Sequence, residues 1–157
     1  MTNDTSLREV RACDLPVFFE QQLDPDATRM AAFPARARVE FMAHWAKIMA
    51  DETNILKTIA FREKVAGNIG CWEGSGERRV GYWLGKEYWG KGIASAALAQ
   101  FLGQVEIRPL HARVVKTNVA SIRVLQKCGF AISGEDAFRD RAGHPSAELI
   151  MILGSVS

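Results

Sequence analysis

The sequence predicts one mixed α/β (α+β) domain, a single sheet covered by helices, and three observations predict it. Short apolar runs at 55–61, 65–72, 80–84 and 111–115 are bounded by turn residues and read as strands. Two longer stretches, 36–50 and 92–106, repeat apolar residues at helical spacing. Strand and helix then alternate along the second half, which lays helices over a sheet. A chain of 157 residues suits one domain with its own core, taken as 1–157.

Each element follows from local chemistry. Residues 1–5 are polar, and a short first strand is expected at 7–10. Asp14 is placed to cap a helix with Pro16 in its first turn, running to about Leu23. Asp24-Pro25-Asp26 reads as its break. The next helix, 36–50, sets Val39, Met42, Ala43, Ala46 and Met49 on one side. Strands 55–61 and 65–72 join through a turn at Glu63-Lys64, and Gly74-Ser75-Gly76 turns the chain into strand 80–84. Helix 92–106 groups Ala94, Ala97, Leu98, Phe101, Leu102 and Val105, and Pro109 marks the break before strand 111–115. Asn118 caps the following helix, and Gly129 suits the left-handed position beyond its end, with Phe130 packing back. Short strands at 130–133 and 147–153 close the chain around a loop at 139–144.

Composition narrows the partners. A net charge of +2 gives no basic field of the kind that nucleic acid requires, so none is expected. No apolar run reaches the length of a membrane span and the N-terminus carries no signal-peptide pattern; a cytoplasmic protein that avoids membranes is the expectation. Cys13, Cys71 and Cys128 are odd in number and widely spaced, which predicts reduced structural thiols and no metal site.

The chemistry concentrates in Gly81-Tyr82-Trp83-Leu84-Gly85-Lys86-Glu87-Tyr88-Trp89-Gly90-Lys91-Gly92-Ile93-Ala94-Ser95, a strand, a glycine-rich corner and a helix start. Small residues let the backbone approach a ligand, and a helix N-terminus points unpaired N–H groups and a positive dipole end at it. That is a phosphate cradle. A Walker A loop would fit Gly85 to Lys91, but Gly92 stands where the Mg²⁺-binding hydroxyl belongs. A dinucleotide fingerprint would fit Gly90 and Gly92, but Ser95 replaces the third glycine. Around 112–115 there is Arg113 and no ribose-binding carboxylate. A cradle in which amides alone hold a diphosphate needs neither residue.

With Trp89-Gly90-Lys91-Gly92-Ile93-Ala94 the chain resembles the GNAT superfamily, the acyl-coenzyme A N-acyltransferases, whose signature is [Q/R]-x-x-G-x-[G/A]. The Tyr-Trp-Gly-Lys-Gly wording looks like the Rim-type branch, which includes ribosomal-protein N-terminal acetyltransferases. Asn118-x-x-Ser121, followed by Gly129-Phe130, looks like the family's second element, in the family's order and at about its spacing. Trp89 departs from the pattern by replacing Gln or Arg, and no tyrosine follows Phe130 closely.

The resemblance implies a mostly antiparallel mixed sheet of about six to seven strands with about four helices, and acetyl-CoA as cosubstrate without a metal. It implies that the backbone of Tyr82, Trp83 and Leu84 pairs with the pantetheine arm. Gly90, Lys91, Gly92, Ile93, Ala94 and Ser95 hold the diphosphate, with Trp89 in the same loop and Asn118 and Ser121 beside the arm. Ser121 is then a candidate to protonate the leaving thiolate, as well as an ordinary helix-start residue. An attacking amine must lose a proton, and Glu73 or Glu77, beside the hairpin into strand 80–84, is a candidate base; water is the alternative. A backbone N–H near Trp83 is the expected oxyanion donor. The acceptor site is expected from the early helices and last hairpin, with Phe33, Phe41 and Trp45 as candidate lining and His44 beside them. Glu135, Asp136 and Asp140 are placed to attract a cationic amine. The expected activity is direct acetyl transfer to a primary amine, on a small molecule or a protein N-terminus, by a monomer or homodimer. The rival readings are a non-catalytic acyl-CoA-binding regulator and a nucleotide-binding protein.

Overall fold

The computed structural model describes residues 4–31, 35–139 and 143–154. Seven strands form one sheet: β1 (Thr5–Glu9), β2 (Ile55–Phe61), β3 (Lys64–Gly74), β4 (Glu77–Leu84), β5 (Leu110–Val115), β6 (Ala131–Arg139) and β7 (Pro145–Leu153). Their order is β1-β2-β3-β4-β5-β7-β6. Every pairing is antiparallel except β4 with β5, which run parallel. Among the described residues five helices accompany the sheet: α1 (Leu15–Gln22), α2 (Pro25–Ala31), α3 (Arg38–Ala50), α4 (Ile93–Gln104) and α5 (Val119–Lys127).

Strand alternation divides the core in two. Val65 packs with Phe18, Phe19, Phe41 and Trp45 of α1 and α3, whereas its neighbour Ala66 packs with Ile93, Leu98 and Phe101 of α4. Successive strand residues point to opposite faces, so α1 and α3 cover one face of the sheet and α4 the other. On β4, Val80 and Leu84 point to the α4 side.

Three sequence expectations are corrected. Asp24-Pro25-Asp26 does not only end α1; it starts α2. The Asp24 carboxylate accepts the N–H of Asp26 at 2.8 Å and of Ala27 at 3.3 Å, and Pro25 takes the first helical position, where no N–H is needed. Asp14 does not cap α1 with its side chain. Its buried carboxylate instead receives both terminal nitrogens of Arg8 at 2.8 Å, the Thr58 hydroxyl at 2.7 Å and the Arg11 N–H at 2.9 Å. Arg8 and Thr58 face each other across β1 and β2, which brings both to one carboxylate. Burial pushes that carboxyl up, but the bonds from Arg8, Arg11 and Thr58 outweigh it and hold it at about 2. The closing hairpin, β6 with β7, is longer than the short strands expected.

The sheet opens at its middle. β4 and β5 share one register pair, Arg79 with His111. Beyond it the edge of β4 from Val80 to Leu84 has no strand partner on the β5 side. The inner edge of β4 also depends on Gly67 in β3, where a Cβ would fall 2.0 Å from the Trp83 carbonyl oxygen. Gly67→Ala therefore has to displace β4 backbone. It is expected to cost about 2–3 kcal/mol, several degrees of melting temperature in a domain of this size. A thermal melt checks this, and an unchanged midpoint contradicts the close approach.

Candidate active site

The gap beside β4 leads to a cleft of about 320 Å³, lined by Tyr82, Trp83 and Leu84 of β4, the loop and first turn of α4, Asn118, Ala120, Ser121 and Val124 of the α5 segment, and Ala27, Met30 and Ala31 of α2. Gly90 and Gly92 both sit at positive φ, +74° and +77°, a region side chains rarely adopt, and a Cβ at either would meet nothing within 4 Å. The glycines are needed for backbone shape, and the space beside them is open. The first N–H groups of α4, at Ile93, Ala94 and Ser95, have no acceptor within the helix. Among the described residues none of the N–H groups of Gly90, Lys91 and Gly92 has a backbone acceptor either. This is a run of amides without backbone acceptors at a helix start, an arrangement suited to binding a phosphate. Ser95 lines the cleft; Lys91 is exposed and does not.

Trp89 has a structural job. Its indole N–H donates to the Leu84 carbonyl at 3.1 Å and braces the loop against the end of β4. Lys86, in the turn after β4, pairs with Asp26 of α2, which ties that helix over the cleft.

Asn118 caps α5, its side-chain oxygen accepting the Ser121 N–H at 3.3 Å. At the other end Gly129 (φ +99°) donates to Gln126 and Phe130 to Leu125, both at 3.0 Å, a closed helix end of the Schellman type. The cap holds Ser121 in the first turn, where its hydroxyl lies 2.8 Å from the Tyr82 phenol oxygen. Burial pushes the Tyr82 phenol above its ordinary value, with the Ser121 hydrogen bond opposing, so the phenol keeps its proton at neutral pH. From sequence only the backbone of Tyr82 was expected to matter. The signal was present: in strand register Tyr82 shares a face with Val80 and Leu84, the face that α4 and α5 cover.

A second cavity of about 400 Å³ joins the first, and the two share Ala31, Tyr82, Asn118 and Ser121. It runs through the β4–β5 gap to the opposite face, where Trp72, Arg79, Gly81, Arg113 and Glu148 line it.

Several expected site residues stand elsewhere. Glu77 accepts from Arg79 Nε at 3.0 Å and Arg113 Nε at 3.2 Å, and His111 Nε2 lies 3.6 Å away. Burial pushes its carboxyl up, but the Arg113 and Arg79 hydrogen bonds prevail and lower it, which makes it a weaker base. Glu73 is exposed, 4.0 Å from Arg78. Neither carboxylate lines either cavity; Glu77 stands behind the wall of the second, bonded to Arg79 and Arg113 of its lining. Phe41 and Trp45 are also corrected. They are buried against Phe18 and Phe19, with ring centroids 5.0 Å apart for Phe18–Trp45 and 5.5 Å for Phe19–Phe41, and do not reach the cavities. Phe33 and Asp140 lie outside the described residues. Asp136 is engaged by Arg113 at 2.7 Å and Glu135 by Lys116 at 3.0 Å. The three cysteines are free thiols. No helix among the described residues is long and apolar enough to cross a membrane.

A parted parallel pair, an amide cradle at the end of the open strand and a half-buried hydroxyl pair between two cavities define the class of an acyl-group transferase fold. A family model described as an acetyltransferase (GNAT) domain matches residues 5–131, and the chain belongs to that family. It is a GNAT acetyltransferase. None of the curated proteins matches it in sequence. Solved structures share its fold. A spermidine N-acetyltransferase from Vibrio cholerae, in complex with CoA and spermine, has 15% identity and a TM-score of 0.81 over 96% of this chain and 95% of that one. A GNAT-family acetyltransferase from Bacillus anthracis has 17% identity and a TM-score of 0.80 over 98% and 96%. The microcin C7 self-immunity acetyltransferase MccE, in complex with acetyl-CoA and AMP, has 18% identity and a TM-score of 0.79 over 98% and 94%.

Proposed function

We propose that the protein is an N-acetyltransferase of the Rim-type branch that moves the acetyl group of acetyl-CoA directly to a primary amine. One observation carries the reading: the cleft beside the amide cradle and the cavity on the opposite face meet at Tyr82, Asn118 and Ser121. The residues fit the cosubstrate. Open space lies beside Gly90 and Gly92, and the unpartnered edge of β4 can take an extended chain by strand-like pairing. Amides from Gly90 to Ser95 would hold the diphosphate, the β4 edge at Tyr82 and Trp83 the pantetheine arm, and Asn118 and Ser121 its inner end. Leu84 contributes less than expected, because its carbonyl already accepts from Trp89.

Bound acetyl-CoA supplies a thioester, a carbonyl open to an amine with a thiolate that leaves. The chain's own part is proton handling and placement. Tyr82 and Ser121, 2.8 Å apart, form a relay that delivers a proton to the departing sulfur. Neither Glu73 nor Glu77 lines a cavity, and Glu77 is occupied by Arg79 and Arg113, so the ammonium proton leaves through water. The Tyr-Trp-Gly-Lys-Gly wording at 88–92 and the Asn118-x-x-Ser121 element support the branch assignment.

The protein should bind coenzyme A and release it from acetyl-CoA when a suitable amine is present. Coenzyme A at about 100 times its Kd adds about 2.7 kcal/mol to stability, readable as a thermal shift. Tyr82→Phe is expected to lower kcat about 10–100-fold with KM for acetyl-CoA nearly unchanged, and Ser121→Ala to lower kcat by a similar factor while raising that KM, because a thiolate needs less help to leave than an alkoxide and Ser121 also holds the arm. Unchanged kcat in both variants removes the relay. Binding without turnover across a broad amine panel leaves the non-catalytic regulator as the better reading.

A further inference from the structure

The cavity opposite the cradle carries a charge pattern that acetyl transfer itself does not use. Arg79 and Arg113 stand on the two strands that part there, and both line the cavity. Each directs its Nε–H at the same atom, Oε1 of Glu77, at 3.0 and 3.2 Å. A guanidinium carries five N–H donors in a planar fork, so a tether through Nε fixes the plane and leaves the outer donors for something else. Arg113 uses Nη1 on Asp136 at 2.7 Å and on Glu148 at 3.1 Å. Among the described residues nothing accepts from Arg79 Nη1 or Nη2, or from Arg113 Nη2. The two side chains are 24% and 22% exposed, and these outer nitrogens are open to solvent in the cavity. Glu148, the carboxylate in the lining, is held by Arg113.

Two glycines shape the same wall. A Cβ at Gly74 would come 3.3 Å from Arg79 Nε, so the bare backbone lets the guanidinium lie close. A Cβ at Gly81 would come 2.9 Å from Trp72 Cη2, so the bare backbone makes room for the outer edge of the indole. The cavity thus offers guanidinium donors beside an apolar indole.

We propose that Arg79 and Arg113 form a clamp for an oxyanion, so that the acceptor is an amine that also carries a carboxylate or a phosphonate. The proposal rests on the acetyl-transfer reading and adds the class of acceptor. Arg79 supplies paired donors that match two oxygens of one anionic group, and Arg113 adds a donor from the other strand. Glu77 is a positioning residue that aims both guanidiniums. Trp72 covers the apolar part of the acceptor. Glu77, Asp136 and Glu148 balance the charge of the two guanidiniums, so selection rests on the geometry of the fork and not on net charge.

Coenzyme A release by the purified protein with acetyl-CoA tests it. The anionic probes are L-phenylalanine, L-methionine, β-alanine and 2-aminoethylphosphonate. Phenylalaninamide, phenethylamine, methioninamide and spermidine are the counterparts without an anionic group. An anionic probe is expected to exceed its counterparts by at least about tenfold in kcat/KM, and the phosphonate separates the two oxyanion types. Arg79→Gln should erase that preference through KM, with the thermal shift from coenzyme A intact as proof of fold and cosubstrate site. Arg79→Lys should not restore it, because an ammonium lacks the fork. Glu77→Gln should raise KM for the anionic probe more than it lowers kcat. The proposal falls if spermidine or neutral amines are preferred throughout, or if the preference survives in Arg79→Gln. It also falls if no anionic amine is acetylated by protein that coenzyme A stabilises. Absence of any stabilisation by coenzyme A instead overturns the acetyl-transfer reading, and the clamp with it.

Discussion

Gly92→Glu is expected to remove coenzyme A binding, with affinity down at least about 100-fold and catalytic efficiency down with it, since like charges brought together cost several kcal/mol. Two effects act at that position and can be separated. Gly92 sits at φ +77°, so any side chain strains the backbone by about 1–2 kcal/mol. Because a Cβ there would meet nothing within 4 Å, strain is the whole steric penalty. Gly92→Ala should therefore melt slightly lower but retain most of its stabilisation by coenzyme A. The glutamate adds a carboxylate to a cradle of amides that would hold a diphosphate, and repulsion then dominates. Comparing the coenzyme A thermal shift in the parent and both variants checks this. A full shift in Gly92→Glu would place the diphosphate somewhere other than this loop.

Asp14→Ala carries the largest expected loss of stability, about 3–5 kcal/mol, because it leaves a half-buried guanidinium, a hydroxyl and a backbone N–H without their acceptor. The same carboxylate should control acid stability. Its folded value of about 2 lies below the ordinary 3.8, so the ionised form favours the fold. That stabilisation is fully present above pH 4, amounts to about 2 kcal/mol, and is lost as pH falls from about 4 towards 2. Denaturant unfolding at stepped pH should show the parent weakening through that window and Asp14→Asn weakening less. A variant within about 1 kcal/mol of the parent would contradict the assigned role. The site lies outside the lining of both cavities, so this loss separates stability from catalysis.

The cradle was legible because it is local. Two positive-φ glycines and a helix start occupy adjacent residues, and their backbone conformation depends little on the rest of the chain. The Asn118 cap and the Gly129 helix end were legible for the same reason, since each is closed by atoms a few residues apart. Aspartate beside proline was ambiguous. Asp24-Pro25 signals a break and a helix start equally well, and the chain uses it for both. The partners of Glu77 were not legible, because a carboxylate near a hairpin looks available until they are known. One of those partners, Arg113, lies 36 residues away on β5, the strand that parts from β4.

The sequence by itself determined the class of domain, the strands and helices that build its sheet, and the loop that would hold a diphosphate, because period and backbone preference are written in neighbouring residues. The tertiary structure alone decided that Tyr82 meets Ser121 across 39 positions, that Phe41 and Trp45 are core, and that Glu77 aims two arginines at a cavity. Those contacts depend on strand register and on where β4 parts from β5, and both follow from the packing of the whole chain.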